Sequence, residues 1–111
     1  LDRTRVHCTG FSMGGLLTWQ LLSEYPSFWS SVAVASSANH YPLPPASQPV
    51  PVLYQHGAHD GVVPIAEGRT AMSALRDTWQ LDHESLVASG AGYNHTRYTR
   101  SKPGTPDRAV V

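Results

Sequence analysis

The stretch "RVHCTGFSMGGLLTWQLLSEYP", residues 5–26, decides how the rest of the chain is read. An apolar lead-in ends at Gly10, a knot of small residues follows, and a helical pattern begins at Met13. Residues 4–10 are expected to form a short strand. From 13 to about 25 the period changes. Met13, Leu17, Leu21 and Tyr25 recur every four, with Leu22 beside them, and predict one apolar helix face. Pro26 closes that helix, because the residue before a proline is pushed out of the helical region. Ser12 therefore stands at a strand-to-helix turn, with Gly10 two residues before it and Gly14 two after. The glycines allow a turn tight enough to present a strained serine, its hydroxyl exposed at the carboxyl end of the strand. The helix start aims its free N–H groups and positive dipole end at the same spot, which places the Met13 N–H to stabilise an oxyanion. A bare G-x-S-x-G occurs by chance in Gly- and Ser-rich loops. The strand before and the helix after make Ser12 a candidate nucleophile.

Working outward, "SSVAVASS" (30–37) reads as a second buried strand and "VLYQHG" (52–57) as a third, ended by glycine. Between them "NHYPLPPASQPVP" (39–51) carries five prolines in thirteen residues and is a loop, either a rim or a lid. Pro64 opens another helix, where its missing N–H costs nothing, and Met72, Leu75 and Trp79 supply that helix's buried stripe. After residue 80 the pattern weakens to one or two short strands among turns, and "AVV" at 109–111 looks like a strand just starting. No internal repeat is visible. Strands alternating with helices imply an α/β chain with a mainly parallel sheet covered on both faces. Single domains of that kind commonly run to about 200–250 residues. The 111 residues are therefore expected to be one partial domain.

Composition excludes several function classes. The chain has 8 Lys+Arg against 8 Asp+Glu, a formal net charge of zero, and no basic stripe or RNA-binding signature, so nucleic acid is not an expected partner. No apolar run approaches the roughly 20 residues that span a bilayer, so no membrane partner is expected. The opening "LDRTRV" has no signal-peptide pattern, an absence of little weight for a chain expected to begin mid-domain. The one cysteine, Cys8, allows no internal disulfide or multi-cysteine zinc site, and is expected as a packed, inert thiol in its strand.

Three segments together carry a family resemblance: "LDRTRVHCTGFSMGGLLTWQLLSEYP", "VAVASS" and "VPVLYQHGAHDGVVP". They resemble the α/β-hydrolase serine esterases of the polyhydroxybutyrate depolymerase and feruloyl esterase type, well over residues 2 to about 64 and loosely beyond. "D-R-x-R-V-x-x-T-G-F-S-M-G-G" is fairly specific to that group, whereas "HGAHDGVVP" is shared more widely. The resemblance implies a partial α/β-hydrolase fold, Ser12 as nucleophile, Asp60 as triad acid, and ester hydrolysis through an acyl-enzyme with no metal and no cofactor. It also leans towards export from the cell.

The residues make their own case for Asp60. It lies just past a strand, in a loop before a helix, on the sheet edge that carries Ser12, where catalytic groups of open α/β sheets collect. Its role would be to hold an imidazole in one tautomer and stabilise the imidazolium. The bland alternative is a turn-forming Asp-Gly pair with a solvated carboxylate.

A serine nucleophile needs a base, and the chain order of this fold is serine, acid, histidine. His83, in "QLDHES", reads as a surface residue. His95, in "GYNHTRY", satisfies the order and sits in an expected loop, so it is the fallback. The resemblance implies instead a "G-x-G-H-x-W"-like loop after one more strand; that motif does not occur here, so the base is expected beyond Val111. A second oxyanion donor would come from a loop preceding Leu1.

His56, His59 and Asp60 do not read as a metal site, because side chains diverge in a strand-to-loop turn and no further ligand is near in sequence. Trp19, Trp29 and Tyr25 have the spacing of core or rim packing. Tyr41, among prolines, is the better candidate for a wall facing substrate. Asn94-His95-Thr96 fits a glycosylation sequon, a frequent tripeptide. The leading expectation is a serine hydrolase for small or polymeric carboxylic esters, hydroxyalkanoate or feruloyl in type. The alternatives are a non-catalytic, degenerate hydrolase fragment and a peptidase or acyltransferase on the same fold, since one triad serves all acyl transfer.

Overall fold

The structure is a computed structural model and describes residues 2–100. A single 3₁₀ turn (Arg3–Arg5) leads into β1 (His7–Phe11), followed by α1 (Met13–Glu24), β2 (Ser31–Ala35), β3 (Val52–Gln55), α2 (Ile65–Trp79), β4 (His83–Gly90) and β5 (Tyr93–Thr99). The first three strands form a parallel sheet in the order β1-β2-β3, and the last two form an antiparallel hairpin with a bulge between Leu86 and Ala88. The expected α/β architecture is present, with the strand at "AVV" lying outside the described residues.

The sheet has a covered face and an open one. Register pairs Cys8 with Val32, Gly10 with Val34, Val32 with Val52 and Val34 with Tyr54, so these side chains share one face. Val32, Val34 and Val52 are each 1% exposed there. Both helices pack on that face: Trp19 of α1 stacks on Tyr54, and Gly68 of α2 lies against the Tyr54 and His56 side chains. On the other face Phe11 is 70% and Leu53 40% exposed. The expected cover on both faces is thus not met among the described residues. The physical reason is directional: strand order advances the same way from β1 to β3, and right-handed connections that advance one way fall on one side.

The buried stripe of α1 also differs from expectation. Gly15, Thr18, Trp19 and Leu22 are buried, whereas Met13, Leu17 and Tyr25 are 86%, 53% and 56% exposed. A strict four-residue spacing drifts around a 3.6-residue helix, while positions i, i+3, i+4 and i+7 keep one face. Two of those positions hold Gly and Thr, which a search for apolar residues passes over. Close approach explains the glycine, since a Cβ on Gly15 would sit 2.7 Å from the Ser37 Cβ and 3.1 Å from Val34. The stripe expected for α2 is observed: Leu75 and Trp79 are fully buried with Ala71, and Met72 packs against them.

The proline-rich segment is a packed wall. Trp79 Nε1 donates to the Pro44 carbonyl (2.9 Å), Arg100 Nη2 donates to the Ala46 carbonyl (2.8 Å), and Pro44 is buried. Tyr41 and Leu43 are partly buried and pack against the core. Trp19 is a core residue, and Trp29 is half-buried with its Nε1 donating to the Leu21 carbonyl (3.1 Å). Cys8 is partly buried against the core, its Sγ 3.7 Å from Thr18 Oγ1. Among the described residues no helix is long and apolar enough to cross a membrane.

Candidate active site

Ser12 is the junction between β1 and α1, and its backbone is where the site begins. Its φ of 56° and ψ of −115° lie in a region that side-chain-bearing residues rarely occupy. Two hydrogen bonds hold it there: the Ser12 N–H donates to the Ala35 carbonyl (2.9 Å), and the Leu16 N–H donates to the Ser12 carbonyl (3.1 Å). As N-cap of α1 its side chain makes no capping bond, which leaves Oγ uncommitted. Gly10 is the glycine that the turn requires, because a Cβ there would collide with the Gly14 carbonyl and lie 2.5 Å from Thr18 Oγ1. Gly14 differs: nothing lies within 4 Å of a Cβ placed on it. The second glycine of the motif is therefore not demanded by space, and Gly15, outside the five-residue pattern, is.

Met13 is the first residue of α1, so its N–H belongs to the group that finds no partner within a helix. That N–H sits beside Ser12 at the positive end of a twelve-residue helix.

Asp60 lies in the turn between β3 and α2. Its Oδ1 accepts from the backbone N–H groups of Val62 (2.9 Å) and Val63 (2.9 Å), which fixes the carboxyl within its own loop. The Val63 and Val62 N–H groups hold its pKa below the usual carboxylate value, burial opposes them, and His56 and the Ser36 hydroxyl act in the same lowering direction. His56 Nε2 is 3.6 Å from Asp60 Oδ2. The neighbouring His59 is exposed.

A cleft of about 190 Å³ brings Ser12 and Met13 together with Ser36, Ser37, His40 and Val63. One wall is the segment after β2, and the other is the acid loop through Val63. Ser36 also takes a positive φ (53°), and its N–H donates to the Gln55 carbonyl (2.9 Å). Sequence reasoning missed Ser36, His40 and His56. His40 sits in the proline-rich loop where no pattern marks it, and the sequence around His56 raises only the metal-ligand reading set aside above. Among the described residues no group of three or more His, Cys, Asp or Glu is gathered as a metal site would require.

His95 is not in a loop as expected but in β5, opposite Ala88. Its ring Nε2 is buried without a hydrogen-bond partner. It lines a separate hollow with Ser36, Gln55 and His56, and not the cleft of Ser12. His83 is exposed at the start of β4, as expected.

The sequence profile of the phospholipase/carboxylesterase family matches residues 1–99. The chain is a member of this family. This carboxylesterase-family chain is 29% identical over 103 residues to a bifunctional acetylxylan esterase/xylanase, XynS20E, from Neocallimastix patriciarum, covering 89% of this chain and 15% of that protein. It is 33% identical over 90 residues to feruloyl esterase D from Neurospora crassa, covering 81% of this chain and 30% of that protein. The crystal structure of a thermostable esterase superposes with a TM-score of 0.61 at 25% identity, covering 71% of this chain and 21% of that one. The chain is thus similar to esterases over most of its own length, and spans between 15% and 30% of the curated relatives' length. The fold is a partial α/β-hydrolase fold of esterase type, as the resemblance implied.

Proposed function

We propose that this chain carries the nucleophile and the acid of a serine hydrolase acting on carboxylic esters. The observation that carries the reading is the Ser12 backbone, held at positive φ at the head of a helix with its hydroxyl making no capping bond. Strain of this kind is kept where a side chain must be presented.

In the proposed reaction Ser12 Oγ attacks the ester carbonyl carbon while an imidazole takes its proton. The carbonyl oxygen gains the negative charge, and the Met13 N–H donates to it. The tetrahedral species collapses, the carbon–oxygen bond to the alcohol breaks, and the imidazolium protonates the departing alcohol. Water, deprotonated by the same imidazole, then attacks the acyl carbon, the bond to Ser12 Oγ breaks as the acid leaves, and the imidazolium returns its proton to Oγ. Asp60 orients the imidazole and stabilises its charged form. We place that imidazole beyond Val111, as the resemblance implies, with His95 as the fallback and no cofactor or metal in the scheme. The domain is accordingly proposed to extend past both ends of this chain, and export remains part of the proposal. Within the ester class, likeness to a feruloyl esterase over 81% of this chain supports the feruloyl side more than the hydroxyalkanoate side.

The test is fluorophosphonate labelling read by intact mass, beside hydrolysis of feruloyl, acetyl and hydroxybutyrate esters, in the protein that carries residues 1–111. Labelling and hydrolysis that both vanish in Ser12→Ala support the proposal. Hydrolysis that survives at full rate in Ser12→Ala, or no labelling of the unmodified protein, ends it in favour of a non-catalytic domain or another site.

A further inference from the structure

The His56 side chain, only 3% exposed, has both ring nitrogens engaged. Nε2 donates to the Val63 carbonyl (2.7 Å), and Nδ1 lies 2.7 Å from the Tyr54 hydroxyl. A carbonyl has no hydrogen to give, so the Val63 contact requires that Nε2 carry the proton. The Tyr54 hydroxyl in turn meets Ser37, 2.8 Å from its carbonyl and accepting from its N–H (3.3 Å), so its one hydrogen is shared between that carbonyl and Nδ1. Ser37 and Val63 belong to the two walls of the Ser12 cleft. A continuous polar chain, Ser37–Tyr54–His56–Val63, thus links the two walls.

We propose that His56, braced by Tyr54, is a positioning residue that sets the acid loop, and with it Asp60, at a fixed distance from Ser12. This rests on the esterase reading of the site. Asp60 Oδ2 is 3.6 Å from Nε2, too far to take the ring's hydrogen bond, which goes to Val63 instead. His56 therefore holds the loop's backbone without occupying that carboxylate oxygen by a hydrogen bond. The arrangement has a visible structural cost. Gly68 lies inside α2, where glycine is about 1 kcal/mol worse than alanine. A Cβ there would fall 2.5 Å from the Tyr54 hydroxyl and 2.8 Å from His56 Nδ1. The helix surrenders propensity to admit a polar pair, where a hydrocarbon would have filled the space without the buried polar atoms.

The test compares His56→Gln, whose amide nitrogen reaches the Nε2 position, with His56→Asn, whose amide reaches only that of Nδ1. With Ser12→Ala as the inactive reference, the expected result is a drop in kcat of about 10–100-fold for His56→Asn, the cost of a misplaced catalytic group. KM should stay within about threefold of the unmodified protein, and His56→Gln should recover most of kcat. Equal losses in the two variants, or none in either, overturn the proposal. The ring ¹⁵N spectrum of the unmodified protein judges it without any variant. A protonated, exchange-protected Nε2 is expected, and a bare Nε2 overturns the proposal even if His56→Asn fails to fold. If Ser12→Ala keeps full activity, the esterase reading falls, whereas the brace is still decided by the ring spectrum.

Discussion

Replacing the proposed nucleophile, Ser12, by glycine should make the protein more stable than replacing it by alanine. Ser12 holds φ 56° and ψ −115°, and alanine, which keeps the Cβ, keeps the conflict between side chain and backbone. Glycine removes it. A residue held in such a region carries about 1–3 kcal/mol of strain. Against this, glycine frees the unfolded chain by about 0.4–1 kcal/mol. The difference leaves a net gain of about 0–2.6 kcal/mol for Ser12→Gly over Ser12→Ala, near 1.3 kcal/mol at mid-range. The missing hydroxyl contributes nothing to the comparison, because both variants lack it and it makes no capping bond. For a domain near this size, 1 kcal/mol corresponds to about 4–8 °C in Tm. Thermal unfolding of the two variants, followed by circular dichroism, reads the difference directly. A Tm for Ser12→Gly below that of Ser12→Ala would refute the claim that Ser12 is strained, and with it the main support for its role.

The two glycines flanking Ser12 should separate cleanly: Gly14→Ala, with open space for its Cβ, should raise stability by up to about 1 kcal/mol through helix propensity, whereas Gly10→Ala should lower it by about 1–3 kcal/mol or more. Chemical denaturation of both variants checks this, and similar midpoints would contradict the spacing argument. Asp60 should make stability fall in acid: its carboxyl titrates below the ordinary value of 3.8 in the folded state, so its contribution is complete above that pH and is lost as pH falls through the lower folded value. A plot of Tm against pH should be flatter below about pH 4 for Asp60→Asn than for the unmodified protein, and parallel curves would count against the loop hydrogen bonds. Trp79→Ala should cost about 3–5 kcal/mol, since the ring is fully buried and its Nε1 ties the proline-rich wall to α2. A loss under about 1 kcal/mol in urea unfolding would show that this wall is not anchored there.

Local chemistry made much of the architecture readable from the chain alone. The change of period at Met13, the glycines around Ser12, the proline that opens α2 and the stripe of Met72, Leu75 and Trp79 are decisions taken within a few residues, and both helices appear where those signals put them, whereas the first strand, expected over 4–10, runs His7–Phe11 after a 3₁₀ turn at Arg3–Arg5. The elbow was legible for the same reason, because a serine between glycines at a strand-to-helix turn is a local statement. The position of Asp60, in the turn that follows β3, was legible in the same way.

What only the tertiary structure decided depends on contacts between residues far apart in sequence. Gly15 and Thr18 mark the true buried face of α1 because Ser37 and Val34 press against it, and neither residue is apolar enough to announce this. His95 took a place in a hairpin, and the proline-rich segment packed against α2, because strand pairing and packing are settled by partners that no local pattern names. The brace of Ser37, Tyr54, His56 and Val63 joins two loops through a strand, and Gly68 makes room for it from a helix further along the chain. Periodicity reports which way a side chain faces on its own element; the atom it meets there is determined by how the elements pack.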